Sequence, residues 1–392
     1  MNQAIQEQPG TKTTDPPLYS LGLEGVIAGE STLCQVDEGE AGLRYRGYAI
    51  GDLAKWSRFE EVAYLLLIGH LPTRSELDSF STLLRGHRVL PDPVQRFIDS
   101  LQPGLHPMDV LRTGISLLGL SDPDAQDGSH EANLRKSMRL LSQIPLLIAH
   151  SYRVMSGILP PRQDESRDFA QHLLHLVAGH KDGETGTAMA QALNVSLILY
   201  AEHEFNASTF AARVTASTLT DLHGAITAAV ATLKGPLHGG ANEAVASMLI
   251  EIGSPERAET WVREALAQKR RVMGFGHRVL RQGDARSAII QRHAERLSHL
   301  CGDHSWYDIA STLHRIMREE KGLHPNLDFY TAVAYLLMGI PRELSTPLFV
   351  CSRITGWCAH VMEQHEHYRL IRPRAIYTGP APRTYEPLDR RP

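Results

Sequence analysis

The chain has 392 residues, 42% of them hydrophobic and 21% charged. That length is roughly two to three domains' worth, fits one large domain plus a smaller one, and suffices for a large core. The formal net charge of -4 leaves no footprint for nucleic acid, so any basic site must be local.

In chain order, residues 1–17 read as a flexible arm. They lack the apolar core of a signal peptide and the Arg-rich face of a transit peptide. Residues 18–50 are Gly-rich and predict a short β-hairpin, with Val26, Ile27, Leu33, Cys34 and Val36 before a turn at Asp37–Glu40, then Leu43, Tyr45 and Tyr48. Helical signals dominate from Gly51. Phe59–Leu67 predicts a helix stopped by Gly69 and Pro72, and Ser75–Leu84 another with Ser75 as N-cap. Apolar spacing of three and four predicts helices over 108–119, 132–157, 166–178, 184–202 and 207–233. The last is rich in Ala, Thr and Ser, which suits a close-packed buried helix, broken at Gly224. Linkers near 121–130 and 159–165 are short, and no internal repeat appears.

The fold class is therefore all-α and multi-helix, with a small N-terminal β element. Two Gly/Pro interruptions, Gly235–Gly240 and Gly339–Pro341, suit either hinges or ordinary loops. As hinges they divide a large domain (18–238 plus 340–392) from a small one (239–339). Four cysteines, Cys34, Cys301, Cys351 and Cys358, stand without a CxxC pair, which argues for a reducing compartment. No apolar run approaches the roughly 18 residues of a membrane span, so a cytoplasmic location is expected.

Three places carry chemistry-bearing side chains. His238 lies between Gly235-Pro236 and Gly239-Gly240, ahead of a helical run at Ala241–Ile252. A helix N-terminus disfavours imidazolium, so such a histidine stays neutral and donates to a developing oxyanion; alternatively it is a turn residue that caps the helix. His277 sits in a Gly-x-Gly loop with Arg270, Arg271, Arg278, Arg281 and Arg286 around it. That is either a polyanion site or a solvated basic loop. A dinucleotide fingerprint is excluded because its third glycine and preceding strand are missing. Asp328 opens the run Phe329–Met338, as a helix N-cap or as a base.

Other candidates fall short. Gly179–Thr187 lacks the Gly-Lys-Ser/Thr of a P-loop, and no HExxH occurs. His360, His365 and His367 with Glu363 and Glu366 read as a solvated helix terminus more readily than as a metal site. His172 and His175 read as packing residues. No metal ligands are assigned.

Read together, the blocks Gly235–Glu243, Met273–Val279 and Pro325–Tyr330 resemble, in order, the three active-site blocks of the citrate synthase family. Ala201–Thr209, Ser352–Trp357, Ile371–Gly379 and Leu43–Tyr48 are similar to further blocks of that family. The likeness covers roughly residues 22–388. It implies the fold of the short bacterial and archaeal enzymes: a large and a small helical domain, and a homodimer with its sites at the domain cleft. Long bacterial relatives carry an extra N-terminal β domain tied to NADH control, which is not expected here.

The resemblance also implies roles. Asp328 would remove the proton next to the thioester while His238 stabilises the enol. His277 would donate to the ketone oxygen of oxaloacetate. Arg286, Arg353 and Arg372, with His203, would hold its carboxylates, Arg372 reaching in from the partner subunit. CoA would lie along Arg271, Val272, Met273, Gly274 and Phe275, with Arg281 on a phosphate. Where the family often has Asp-Pro-Arg, this chain has Asp284-Ala285-Arg286, a change that could loosen the loop. The expected reaction is acetyl-CoA, oxaloacetate and water to citrate and CoA, with the acyl-CoA as co-substrate and no permanently bound cofactor. The alternative is 2-methylcitrate synthase using propionyl-CoA, or one enzyme with both activities, because one methylene is worth only about 1–3 kcal/mol. A non-catalytic helical scaffold or a His-based metalloprotein is a remote third reading.

Overall fold

A computed structural model describes residues 20–36, 42–159, 167–179, 181–276, 284–367 and 369–392. The expected N-terminal arm, the turn at 37–40 and most of the 159–165 linker lie outside the described residues. Residues 20–32 group apart from Leu33–Pro392 and hold one short 3-10 turn, Leu21–Leu23. Val26 and Ile27 are in no strand there, against expectation.

Within Leu33–Pro392, strands β1 (Cys34–Val36), β2 (Leu43–Tyr45) and β3 (Tyr48–Ala49) form an antiparallel sheet in that order. The expected hairpin thus gains a third strand. Arg46 and Gly47, both at positive φ (48° and 88°), make the two-residue turn that pairs Tyr45 with Tyr48.

Helices make up the rest: α1 (Ile50–Trp56), α2 (Phe59–Ile68), α3 (Arg74–Gly86), α4 (Asp92–Asp99), α5 (Pro107–Ser121), α6 (His130–Ser156), α7 (Phe169–Ala178) and α8 (Gly183–Tyr200). Then come α9 (Ala207–Ala216), α10 (Leu222–Leu233), α11 (Ala241–Ile252), α12 (Pro255–Ala267), α13 (Ala285–Cys301), α14 (Ser305–Lys321), α15 (Leu327–Met338) and α16 (Ser345–Glu366). Among the described residues no helix is long and apolar enough to cross a membrane.

Two boundaries correct the sequence reading. Helix α3 is capped by Thr73 rather than Ser75, because Glu76, three residues on, returns a bond to the Thr73 amide at 2.7 Å. The helix expected over 207–233 is two helices, parted at 217–221 and not at Gly224. Leu219 turns the chain at φ 63°, and Asp221 then caps α10 by accepting from the Gly224 amide at 3.0 Å.

Helix α16 is the centre of the molecule. It packs against α2, α5, α6, α8, α9, α10 and α11, and Trp357 in its middle is fully buried. Apart from its last turn the helix is buried on every side, so its polar side chains, Ser352, Arg353 and His360 among them, must find partners inside the protein. Gly240 caps the start of α11 and Gly339, at φ 75°, ends α15, so both interruptions lie at helix ends.

Candidate active site

The site is built on the C-terminal end of α8. The last carbonyls of a helix lack intrahelical partners and carry the negative end of its dipole. Here they are met by groups from distant elements. Ser352 donates to Leu197 O. Tyr45 Oη lies 3.1 Å from Ile198 O and 3.0 Å from Glu202 O. Arg286 Nη1 donates to Leu199 O at 3.4 Å and Arg353 Nε to Tyr200 O at 2.6 Å. Two arginines singled out from sequence are thus held by one helix end.

Their electrostatics differ. Arg286 makes a bidentate pair with Asp284, at 2.9 Å on each oxygen, so that despite burial Asp284 holds its proton affinity high. Asp284 also caps α13 through the Arg286 amide, so α13 starts cleanly at Ala285. Arg353 is only 2% exposed, and among the described residues no carboxylate pairs with it. Burial lowers its proton affinity, with the Glu202 charge opposing that shift. A buried guanidinium without a carboxylate is costly unless an anion completes it.

His238 sits in the turn between α10 and α11. Its Nε2 lies 3.2 Å from the Ser208 amide nitrogen and 2.7 Å from Ser208 Oγ. An amide N–H only donates, so Nε2 is the acceptor and the ring proton is on Nδ1. Burial, then the charge of Arg353, pushes its pKa down to about 4. The helix end that donates to the ring is a different one from the α11 start to which the sequence pointed. It is the N-terminus of α9, where Ser208 stands two residues past the cap Asn206. Trp357 Nε1 donates to Ser208 Oγ at 3.2 Å and secures the arrangement.

Asp328 is not the cap of α15. Asn326 is, accepting from the Asp328 amide at 3.1 Å. The Asp328 carboxylate accepts instead from Tyr200 Oη at 2.6 Å, and Asn242 Nδ2 donates to that phenol oxygen at 3.2 Å. Burial pushes the Asp328 pKa up to about 6, against the Tyr200 hydrogen bond and the charges of Arg286 and Arg353. Tyr200, its own pKa driven well above the usual value by burial and by Asp328, remains a donor.

These groups adjoin one another through aromatic rings. Arg353 lies 4.7 Å over Phe349, whose ring is 4.4 Å from Tyr200 and 6.4 Å from His238. The segment before His277 is pinned beside the start of α15. Phe275 bridges to Pro325, Asn326 N donates to Gly274 O at 2.9 Å, and Asn326 Nδ2 donates to Gly276 O at 3.2 Å. Gly274, at φ 83°, has no room for a side chain: a Cβ would come within 2.7 Å of Val245 and 2.8 Å of Phe329.

Of the remaining candidates, His277, Arg278 and Arg281 lie outside the described residues. Arg271 is exposed, Val272 and Phe275 are buried, and Met273 is half-buried. His203 lies in the α8–α9 loop, and Arg372 is exposed on the segment after α16. The basic loop is also less uniform than its composition suggested, since Arg270 is taken up by Glu251 at 2.6 Å. The histidines of α16 are likewise corrected. His360 is fully buried, bonding Glu202 at 2.9 Å, and is no part of a solvated terminus. Among the described residues, no group of three or more His, Cys, Asp or Glu could hold a metal.

Sequence reasoning missed Tyr200, Ser208 and Phe349 as individual contributors. Tyr200 and Ser208 stand next to or inside the Ala201–Thr209 block, but only their neighbours in space reveal what they do.

A carboxylate, a neutral imidazole and two buried guanidinium groups stand in one cluster, residue types suited to carbon-acid chemistry on an anionic substrate. The family profile described as "Citrate synthase, C-terminal domain" matches residues 22–374, and the chain belongs to the citrate synthase family, enzymes that transfer and condense acyl groups. It is 43% identical to citrate synthase 2 of Bacillus subtilis, over 94% of this chain and 98% of that protein. It is 44% identical to the 2-methylcitrate synthase of Shewanella oneidensis, over 95% and 98%. The structure of citrate synthase from Thermoplasma acidophilum, a ternary complex with carboxymethyl coenzyme A and oxaloacetate, superposes with a TM-score of 0.86 at 34% identity, covering 94% of this chain and 98% of the other.

Proposed function

We propose that this enzyme condenses acetyl-CoA with oxaloacetate and water to give citrate and CoA. The observation that carries the reading is the pairing of a base and an acid of matched character. Asp328, with a pKa raised to about 6, is ionised at neutral pH yet more basic than an ordinary carboxylate. His238, neutral with its proton on Nδ1, is a donor for the thioester oxygen. Asp328 takes a proton from the thioester methyl while His238 donates to the carbonyl, and the enol attacks the ketone of oxaloacetate. His277 donates to that ketone oxygen as it becomes a hydroxyl. The citryl thioester is then hydrolysed in place.

Arg286, Arg353 and His203 hold the oxaloacetate dianion, and Arg372 completes the site from the second subunit of a homodimer. Arg271–Phe275 and Arg281 hold CoA. The small domain (239–339) closes on the large one (18–238 plus 340–392) at Gly240 and Gly339, excluding water before proton abstraction. The enzyme works in the cytoplasm without metal or permanently bound cofactor.

A second reading, propionyl-CoA as the acyl donor, is favoured by the likeness to 2-methylcitrate synthases. The C-terminal run Arg372-Pro373-Arg374-Ala375-Ile376-Tyr377-Thr378-Gly379-Pro380 favours acetyl-CoA. Comparing kcat/KM for the two thioesters at fixed oxaloacetate decides between them. A higher value for acetyl-CoA is expected, and a strong propionyl preference reverses the assignment.

A further inference from the structure

One buried carboxylate in the cluster has no part in the chemistry above. Glu202, just past the end of α8, is fully buried. Its Oε1 accepts from His360 Nε2 at 2.9 Å. The other ring nitrogen, Nδ1, is 3.0 Å from Arg213 Nη1, and a guanidinium only donates. His360 is therefore a neutral bridge with its proton on Nε2. Arg213 is itself neutralised by Glu363 at 2.6 Å. Among the described residues, then, no cation in contact cancels the Glu202 charge.

Its second oxygen, Oε2, is buried without a hydrogen-bond partner among the described residues. It lies against Gly356, where any Cβ would collide with it. Gly356 is three residues along α16 from Arg353, and Glu202 is the foremost charge acting on that guanidinium. The two are nonetheless beyond ion-pair distance. Around Glu202 the other ionisable groups among the described residues include Glu204, half-buried with a raised pKa, and the Cys34 thiol and Tyr45 phenol, both of which burial keeps protonated. None of them supplies a positive charge.

We propose that Glu202 sets the affinity of the dicarboxylate site: its buried charge, out of ion-pair contact with Arg353, repels anions docked on that guanidinium and so hastens release of the tricarboxylate product. The proposal rests on oxaloacetate being the ligand of Arg353. Repulsion scales with ligand charge, so the product, with one more carboxylate, is opposed more than the substrate. The acid limits over-tight binding without touching the reacting atoms.

The test is Glu202→Gln, which keeps an oxygen acceptor for His360 and removes the charge. Citrate inhibition constants and the KM for oxaloacetate are measured on wild type and variant. Citrate should bind about tenfold more tightly and oxaloacetate about threefold, with kcat lowered as release slows. Glu202→Asp, which keeps the charge, should retain wild-type citrate inhibition. If Glu202→Gln does not fold, Glu202→Met, of similar volume and equally uncharged, carries the same expectation. A folded neutral variant whose citrate affinity is unchanged or weaker overturns the proposal. A wild-type protein inert with oxaloacetate and both thioesters overturns instead the reading on which it rests.

Discussion

Asp328 and Tyr200 stand 128 positions apart in the chain and meet at 2.6 Å. Asp328 as a base must be ionised, so turnover should fall as pH drops through about 6. Tyr200 stabilises the ionised form. Tyr200→Phe should therefore move the acid limb of the kcat/KM profile to higher pH, and an unmoved limb would show that the phenol does not tune the base. His238, with a pKa near 4, should contribute no titration of its own between pH 5 and 9. The same carboxyl has a stability consequence. Its folded pKa lies above the ordinary value of 3.8, so its favourable contribution is full below pH 3.8 and lost as pH rises through about 6. At neutral pH the ionised group costs at most about 3 kcal/mol. Asp328→Asn should cut turnover by about 10²–10⁴-fold and yet raise Tm at pH 8, with little gain at pH 4. Thermal melts at the two pH values check this.

At the scale of elements, α15 is where the site and the fold share a residue. Asn326 caps the helix bearing Asp328 and ties down Gly276 beside it. Asn326→Ala should cost about 1 kcal/mol in urea denaturation, the worth of a lost cap. It should also lower kcat/KM well beyond that stability loss, since both catalytic segments shift. Retained activity in the destabilised variant would separate the cap from the catalysis. The helices themselves were largely legible, because apolar spacing and caps act within a few residues. The misread boundaries, at Thr73 and at 217–221, came from competing caps only a few residues away: Ser75 beside Thr73, and Gly224 beside Asp221. Site residues were legible where they sat in recognisable blocks. Tyr200 and Phe349 were not, because each looks like one more apolar position of a buried helix.

At the scale of the molecule, α16 brings Arg353, Phe349 and Trp357 to the end of α8 and the start of α9, while Arg372 follows on an exposed segment. An exposed arginine that makes no ion pair among the described residues suits one that serves a neighbouring subunit. Mixing inactive Arg372→Ala and His277→Ala subunits should restore one whole site per heterodimer. Verified heterodimers without recovered activity would place Arg372 in its own subunit's site or in none.

By itself the sequence determined the helical class, most helix positions, the family and the residue types that the chemistry requires. These depend on local periodicity, capping and ordered blocks of residues. Tertiary structure alone decided which helix end donates to His238, that Asn326 rather than Asp328 caps α15, and that His360 is buried beside Glu202. Each of these depends on groups far apart in the chain meeting away from water. There, burial and the direction of a single donor set protonation, and no local pattern encodes either.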